Sequence, residues 1–184
     1  MSELSPNNSG LVGAVEEVLE EGHELLRTIG TGAYTWKDDG GCGASIGMHY
    51  RHVLEHFQCL LEGVAGGRIN YDERRRSSDL ENSPETALAA TESLIAGFRD
   101  LGEEVLLGEC AVVYSVGYSA GGTQEVRSSV ARSTVAREVM FCVGHATHHY
   151  ALMKPQCSQM GIRVPYEFGV APSTLKHLET HQGR

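Results

Sequence analysis

The stretch Ser45-Ile46-Gly47-Met48-His49-Tyr50-Arg51-His52-Val53-Leu54-Glu55-His56-Phe57 decides how this chain is read. Ser45 is a helix-capping residue type, because its short side chain can accept a hydrogen bond from an amide of the first helical turn. From it, Ile46, Val53, Phe57, Leu60, Leu61 and Val64 recur at helical spacing until Gly66-Gly67 stops the pattern. The spacing predicts a helix from Ser45 to about Val64, carrying His49, His52 and His56. Far downstream, Gly144-His145-Ala146-Thr147-His148-His149 also falls in a helical pattern, so two short helical clusters hold six of the nine histidines.

Outward from the first cluster, the same period recurs. Leu11, Val12, Val15, Val18, Leu19, Leu25, Leu26 and Ile29 make one apolar stripe, with Glu16, Glu17, Glu20 and Glu21 opposite. Gly30 and Gly32 close it, and the glycine-rich stretch around Gly40 reads as a linker. Residues 68–82 are polar and read as a long loop. Ser83-Pro84-Glu85 then offers an N-cap, a proline at the first helical position and an early acid, predicting a helix to about Leu101. Val112, Val113, Tyr114, Val116 and Tyr118, followed by Val126 and Val130, predict a β-hairpin. The last long helix runs from about Arg132 to Met153, with Pro155 at or just past its end. Residues 163–172 read as ordered coil packed on the helices.

Four long amphipathic segments and one hairpin predict a mainly α protein, a four-helix bundle with a small β-hairpin inserted before the last long helix. Residues 1–10 read as a flexible lead-in, 11–176 as the bundle and 177–184 as a tail.

The 184 residues suffice for one core, and 41% hydrophobic with 21% charged residues is a globular composition. A net charge of −9 works against binding nucleic-acid phosphates or an anionic membrane surface, and no apolar run has the length of a membrane span. The first eight residues lack the basic and apolar regions of a secretion signal, and the five cysteines show no CxxC spacing. A cytoplasmic protein with reduced thiols is the expectation.

Histidine is the commonest metal-binding side chain, and residues four apart share a helix face. His145 and His149 therefore form a pair, set among Phe141, Cys142 and Leu152, whereas His148 falls at the edge. Two imidazoles are too few for a stable site. A third must come from another helix, and His49, His52 and His56 are the candidates. Arg74-Arg75-Arg76 reads as solvated charge paired with Asp72, Glu73, Asp79 and Glu81, or else as a site for an anionic substrate. Glu55 and Glu138 are candidate general bases or merely solvent-facing acids.

The phrase Ala44-Ser45-Ile46-Gly47-Met48-His49-Tyr50-Arg51-His52-Val53, with Gly144-His145-Ala146-Thr147-His148-His149 downstream, resembles the DinB/YfiT-like superfamily. Glu167-Phe168-Gly169-Val170-Ala171-Pro172-Ser173 resembles a subset of its bacterial members. The resemblance spans about Leu11 to Leu152. It implies a three-histidine site for a divalent metal such as zinc, nickel or iron. By position, the ligands would be His52, His145 and His149, with His49 able to replace His52 and His56 a further candidate. It also implies a homodimer acting on a small molecule, by transfer of a low-molecular-weight thiol or by hydrolysis. A non-catalytic metal- or ligand-binding bundle in stress response or sensing is the rival expectation.

Overall fold

Residues 8–37, 43–116 and 127–182 are described by a computed structural model. The first helix, α1 (Asn8–Thr28), buries Val15, Val18, Leu19, Leu25 and Leu26, which follow the spacing seen in sequence. It begins three residues before the predicted start, inside the span read as lead-in. A short α2 (Thr31–Thr35) places Tyr34 in the core, where its hydroxyl donates to the Leu80 carbonyl at 2.6 Å. The linker around Gly40 lies largely outside the described residues.

The next helix, α3 (Ile46–Val64), starts where Ser45 predicts, and the Met48 amide donates to Ser45 Oγ at 3.1 Å. The expected long loop after it is a correction. Arg68–Asn70 form strand β1, Tyr71–Glu73 a single 3-10 turn, and Ser78–Asn82 the short helix α4. These elements have no amphipathic period of their own. They form because Ile69 and Leu80 are drawn into the core and because Ser77 caps α4. Ser83 caps α5 (Pro84–Arg99) through the Thr86 amide at 3.1 Å, as the sequence predicts, and a one-turn α6 (Glu103–Leu106) follows.

The hairpin is present as β2 (Glu109–Val116) and β3 (Arg127–Thr134), paired antiparallel with Val113 opposite Val130. Its turn lies outside the described residues. The sheet gains β1 as a third strand, parallel to β2 with Ile69 opposite Val112. Helix α7 (Val135–Gln159) starts three residues later than read, because Arg132 to Thr134 remain paired with β2 and Thr134 caps the Arg137 amide at 3.2 Å.

Pro155 does not end α7, which runs on to Gln159. A proline inside a helix costs about 3 kcal/mol. Burial of Met153 and Cys157 on either side, and a 2.8 Å bond from Gln156 Nε2 to the Ala44 carbonyl, hold the helix through it. Beyond it, Phe168 is buried and stacks on Tyr150, and the Gly169 amide donates to Glu21 at 2.8 Å. Gly169 has φ 70 and lies against the α7 backbone at Ala151, so a side chain there would be strained and would clash. The stretch 163–171 is the packed coil expected, but α8 (Pro172–Gln182) is helical across the anticipated boundary at 176.

The four long helices close into a ring: α1 packs on α5 and α7, and α3 packs on the same two. Their inward residues, with Phe57 edge-on to Phe98, make one core. This is the mainly α bundle predicted, with the small sheet beside α3 and α7. No helix among the described residues is long and apolar enough to cross a membrane.

Candidate metal site

The two histidine clusters meet because α3 and α7 are packed neighbours. On α3, His49, His52 and His56 follow from an early turn that Ser45 fixes. Gly47 lets that turn lie directly against the Glu81 carbonyl, where a side chain would collide. On α7, His145 and His149 face α3, and His148 is exposed.

His52 Nε2 and His145 Nε2 are 2.9 Å apart. His49 Nδ1 and His149 Nδ1 are 3.0 Å apart. The His149 ring lies 4.6 Å from the rings of both His52 and His145. One set, His52, His56 and His145, has a nitrogen from each ring within 4.8 Å of the others. Zinc–imidazole bonds are about 2.1 Å, so two ligands of one ion lie no more than about 4.2 Å apart. The pair His52 and His145 satisfies that limit outright.

The five imidazoles are held neutral, the form that offers a lone pair to a metal. Burial pushes His52 down to about 2, His149 to about 3 and His56 to about 4. Burial also lowers His49 and His145, and neighbouring imidazoles act in the same direction. This donor set fits a borderline divalent ion.

The partners of His56 define its tautomer. Its Nδ1–H donates to the His52 carbonyl at 2.7 Å, which leaves Nε2 as an acceptor 3.4 Å from Arg74 Nη1. The same guanidinium nitrogen donates to the Tyr71 carbonyl at 2.5 Å. His56 is therefore already engaged at both nitrogens.

A layer of aromatic rings covers one side of the cluster. Tyr71 stacks on His56 at 5.3 Å and Phe141 on His145 at 5.6 Å. Beyond those two rings opens a cleft of 460 Å³ whose walls include Val112, Tyr114, Arg132 and Arg137. Underneath, Glu138 is 1% exposed and accepts from Tyr71 Oη (3.0 Å), Ser133 Oγ (2.6 Å) and Arg137 Nη1 (2.8 Å). Glu55, also 1% exposed, accepts from the Ser77 amide at 2.7 Å. Both carboxylates are buried and bonded; neither is the solvent-facing acid considered from sequence.

Burial raises the thiols of Cys59, Cys110, Cys142 and Cys157, Cys142 to about 12, so none of these is a thiolate at neutral pH. Tyr71 and Arg74 are the residues of the site that sequence reasoning placed in a loop. The arginine run was the sole local signal for either.

No protein-family model matches the chain. A stretch of 112 residues, 60% of the chain, is 34% identical to FK506-binding protein 5 of Rhizopus delemar; the match spans 28% of that protein's length. Among solved structures, a DinB-like protein of Bacillus subtilis, YjoA, matches 88% of this chain and 99% of its own, with a TM-score of 0.62 at 18% identity. At that identity the likeness speaks for architecture: the chain has the DinB-like fold.

Proposed function

We propose that the histidine cluster binds one divalent transition metal and that the protein uses it on a small molecule. The observation that carries this reading is the convergence of five neutral imidazoles from α3 and α7, with His52 and His145 at 2.9 Å. As ligands we propose His52, His145 and His149. His149 has its Nδ1 against His49, which orients its ring and leaves Nε2 for the metal. His56 is the alternative third ligand on the 4.8 Å grouping, but its engagement with Arg74 argues against it.

A metal held there would supply Lewis acidity towards a substrate or a thiol. The residues of the chain would do the rest. Tyr71 and Phe141 shield the histidines from water on one side, and the 460 Å³ cleft beyond them is of a size for a small molecule. Since Cys110, Cys142 and Cys157 are buried, Cys59 is half-buried and all four thiols are raised, a thiol used in transfer would come from a low-molecular-weight co-substrate. On the resemblance of the chain's histidine motifs to the DinB/YfiT-like superfamily, we place thiol transfer ahead of hydrolysis.

Zinc titrated into chelator-treated protein by calorimetry tests the metal. One ion per chain is expected, with His52→Ala and His145→Ala each abolishing binding and His148→Ala leaving it unchanged. His149→Ala abolishing it while His56→Ala does not would settle the third ligand, and the opposite result would reassign it. Wild-type protein that takes up no zinc, nickel or iron would end the reading. Consumption of an electrophile by the loaded protein with water alone would overturn thiol transfer in favour of hydrolysis.

A further inference from the structure

The three arginines of residues 74–76 have different fates. Arg75 pairs with Glu62 at 2.7 Å, with both side chains largely exposed. Arg76 is exposed and turns the chain at φ 51. Arg74 alone points inward. It is half-buried, donates to the Tyr71 carbonyl and to His56 Nε2, and has no carboxylate partner among the described residues. The chain holds 24 acidic residues against 15 basic ones, so lack of acids does not explain this.

Its position is beside the candidate ligands, not apart from them. Its Nη1 lies 3.4 Å from His56 Nε2, and the His56 ring is 4.4 Å from that of His52 and 4.3 Å from that of His145. The surrounding imidazoles carry no negative charge in either their neutral or protonated form, so they offer no counter-charge. The two hydrogens of Nη1 serve Tyr71 and His56, which leaves the three N–H donors of Nη2 and Nε without a partner among the described residues. A guanidinium so placed presents a fork suited to two oxygens of one anion.

We propose that Arg74 is an anion-recognition residue of the histidine site, whose free donors hold the carboxylate of the small-molecule ligand. This rests on the small-molecule reading above, though not on the metal. Anions are repelled by the chain's net charge of −9, so a local cation is what would draw one to this point. Meanwhile the same guanidinium bonds His56 Nε2, an interaction that competes with coordination of a metal by that nitrogen.

The test uses benzoate as the carboxylate probe and benzamide as its neutral counterpart, titrated calorimetrically into zinc-free and zinc-loaded protein. Benzoate is expected to bind wild type in both states, with benzamide at least tenfold weaker. Arg74→Gln should weaken benzoate at least tenfold while zinc affinity is unchanged or higher. Arg74→Lys, which keeps the charge but loses the fork, should fall between the two. It decides the matter if the glutamine variant does not fold. Equal benzoate affinity in wild type and the variants, equal affinity for benzamide, or no benzoate binding would each overturn the proposal. Failure of zinc to bind wild type would remove the metal reading and leave the zinc-free comparison to judge Arg74.

Discussion

Removing one oxygen, in Tyr71→Phe, should separate the support of the site from the site itself. Glu138 is 1% exposed, and the phenol is the partner of its Oε2 at 3.0 Å, while Ser133 and Arg137 serve Oε1. A hydrogen bond to a charged group is worth about 1.5–3 kcal/mol, and here its loss leaves a buried carboxylate oxygen unpaired. For a chain of this length that corresponds to a melting point lower by about 3–12 °C. The ring is retained, so its stacking on His56 persists and zinc affinity should stay within about twofold. Urea unfolding followed by circular dichroism would give the free energy, and a double-mutant cycle with Glu138→Gln would give a coupling of about 0.5–3 kcal/mol. A change below about 0.5 kcal/mol, with no coupling, would refute the assignment of Glu138 as a charged acceptor fixed by Tyr71.

Three further outcomes follow from the geometry. Acid should destabilise the fold: histidines lowered to about 2, 3 and 4 in the folded protein take up protons near 6.5 once unfolded, so stability is full above pH 6.5 and falls as pH drops from there towards the folded values. In metal-free protein, His149→Gln should reduce the slope of unfolding free energy against pH by up to about 1.4 kcal/mol per pH unit between pH 6 and 4; an unchanged slope would contradict the burial of that ring. Gly47→Ala, which drives a methyl group into the Glu81 carbonyl and to 2.8 Å from Tyr34 Cε1, should cost about 1–3 kcal/mol in denaturant titration, and a neutral result would mean that α3 and α4 are not in contact as described. Ser45→Ala should cost about 1 kcal/mol through loss of the cap on Met48.

The long helices were legible because each carries its own apolar period, and Ser45 and Ser83 mark two starts to the residue. The meeting of the histidine clusters was legible for the same reason, since His145 and His149 share a face and α3 offers its own row. What sequence could not show was set by contacts distant along the chain. Strand β1 exists because β2 lies beside it, and α7 passes Pro155 because Met153 and Cys157 are buried around it. Tyr71 and Arg74 reach the histidines only after residues 68–82 fold back over α3. Glu55 and Glu138 look like surface acids in sequence because their donors, Ser77, Tyr71 and Ser133, come from other elements.

The distance along the chain between the two halves of the histidine cluster has a consequence of its own. His49 and His149 are 100 residues apart in sequence, and His52 and His145 are 93 apart, yet each pair is in contact. A single cut between β2 and β3 would leave His49, His52 and His56 on one fragment and His145 and His149 on the other. Neither piece would own a complete constellation, and the antiparallel pairing of β2 with β3 would guide them back together.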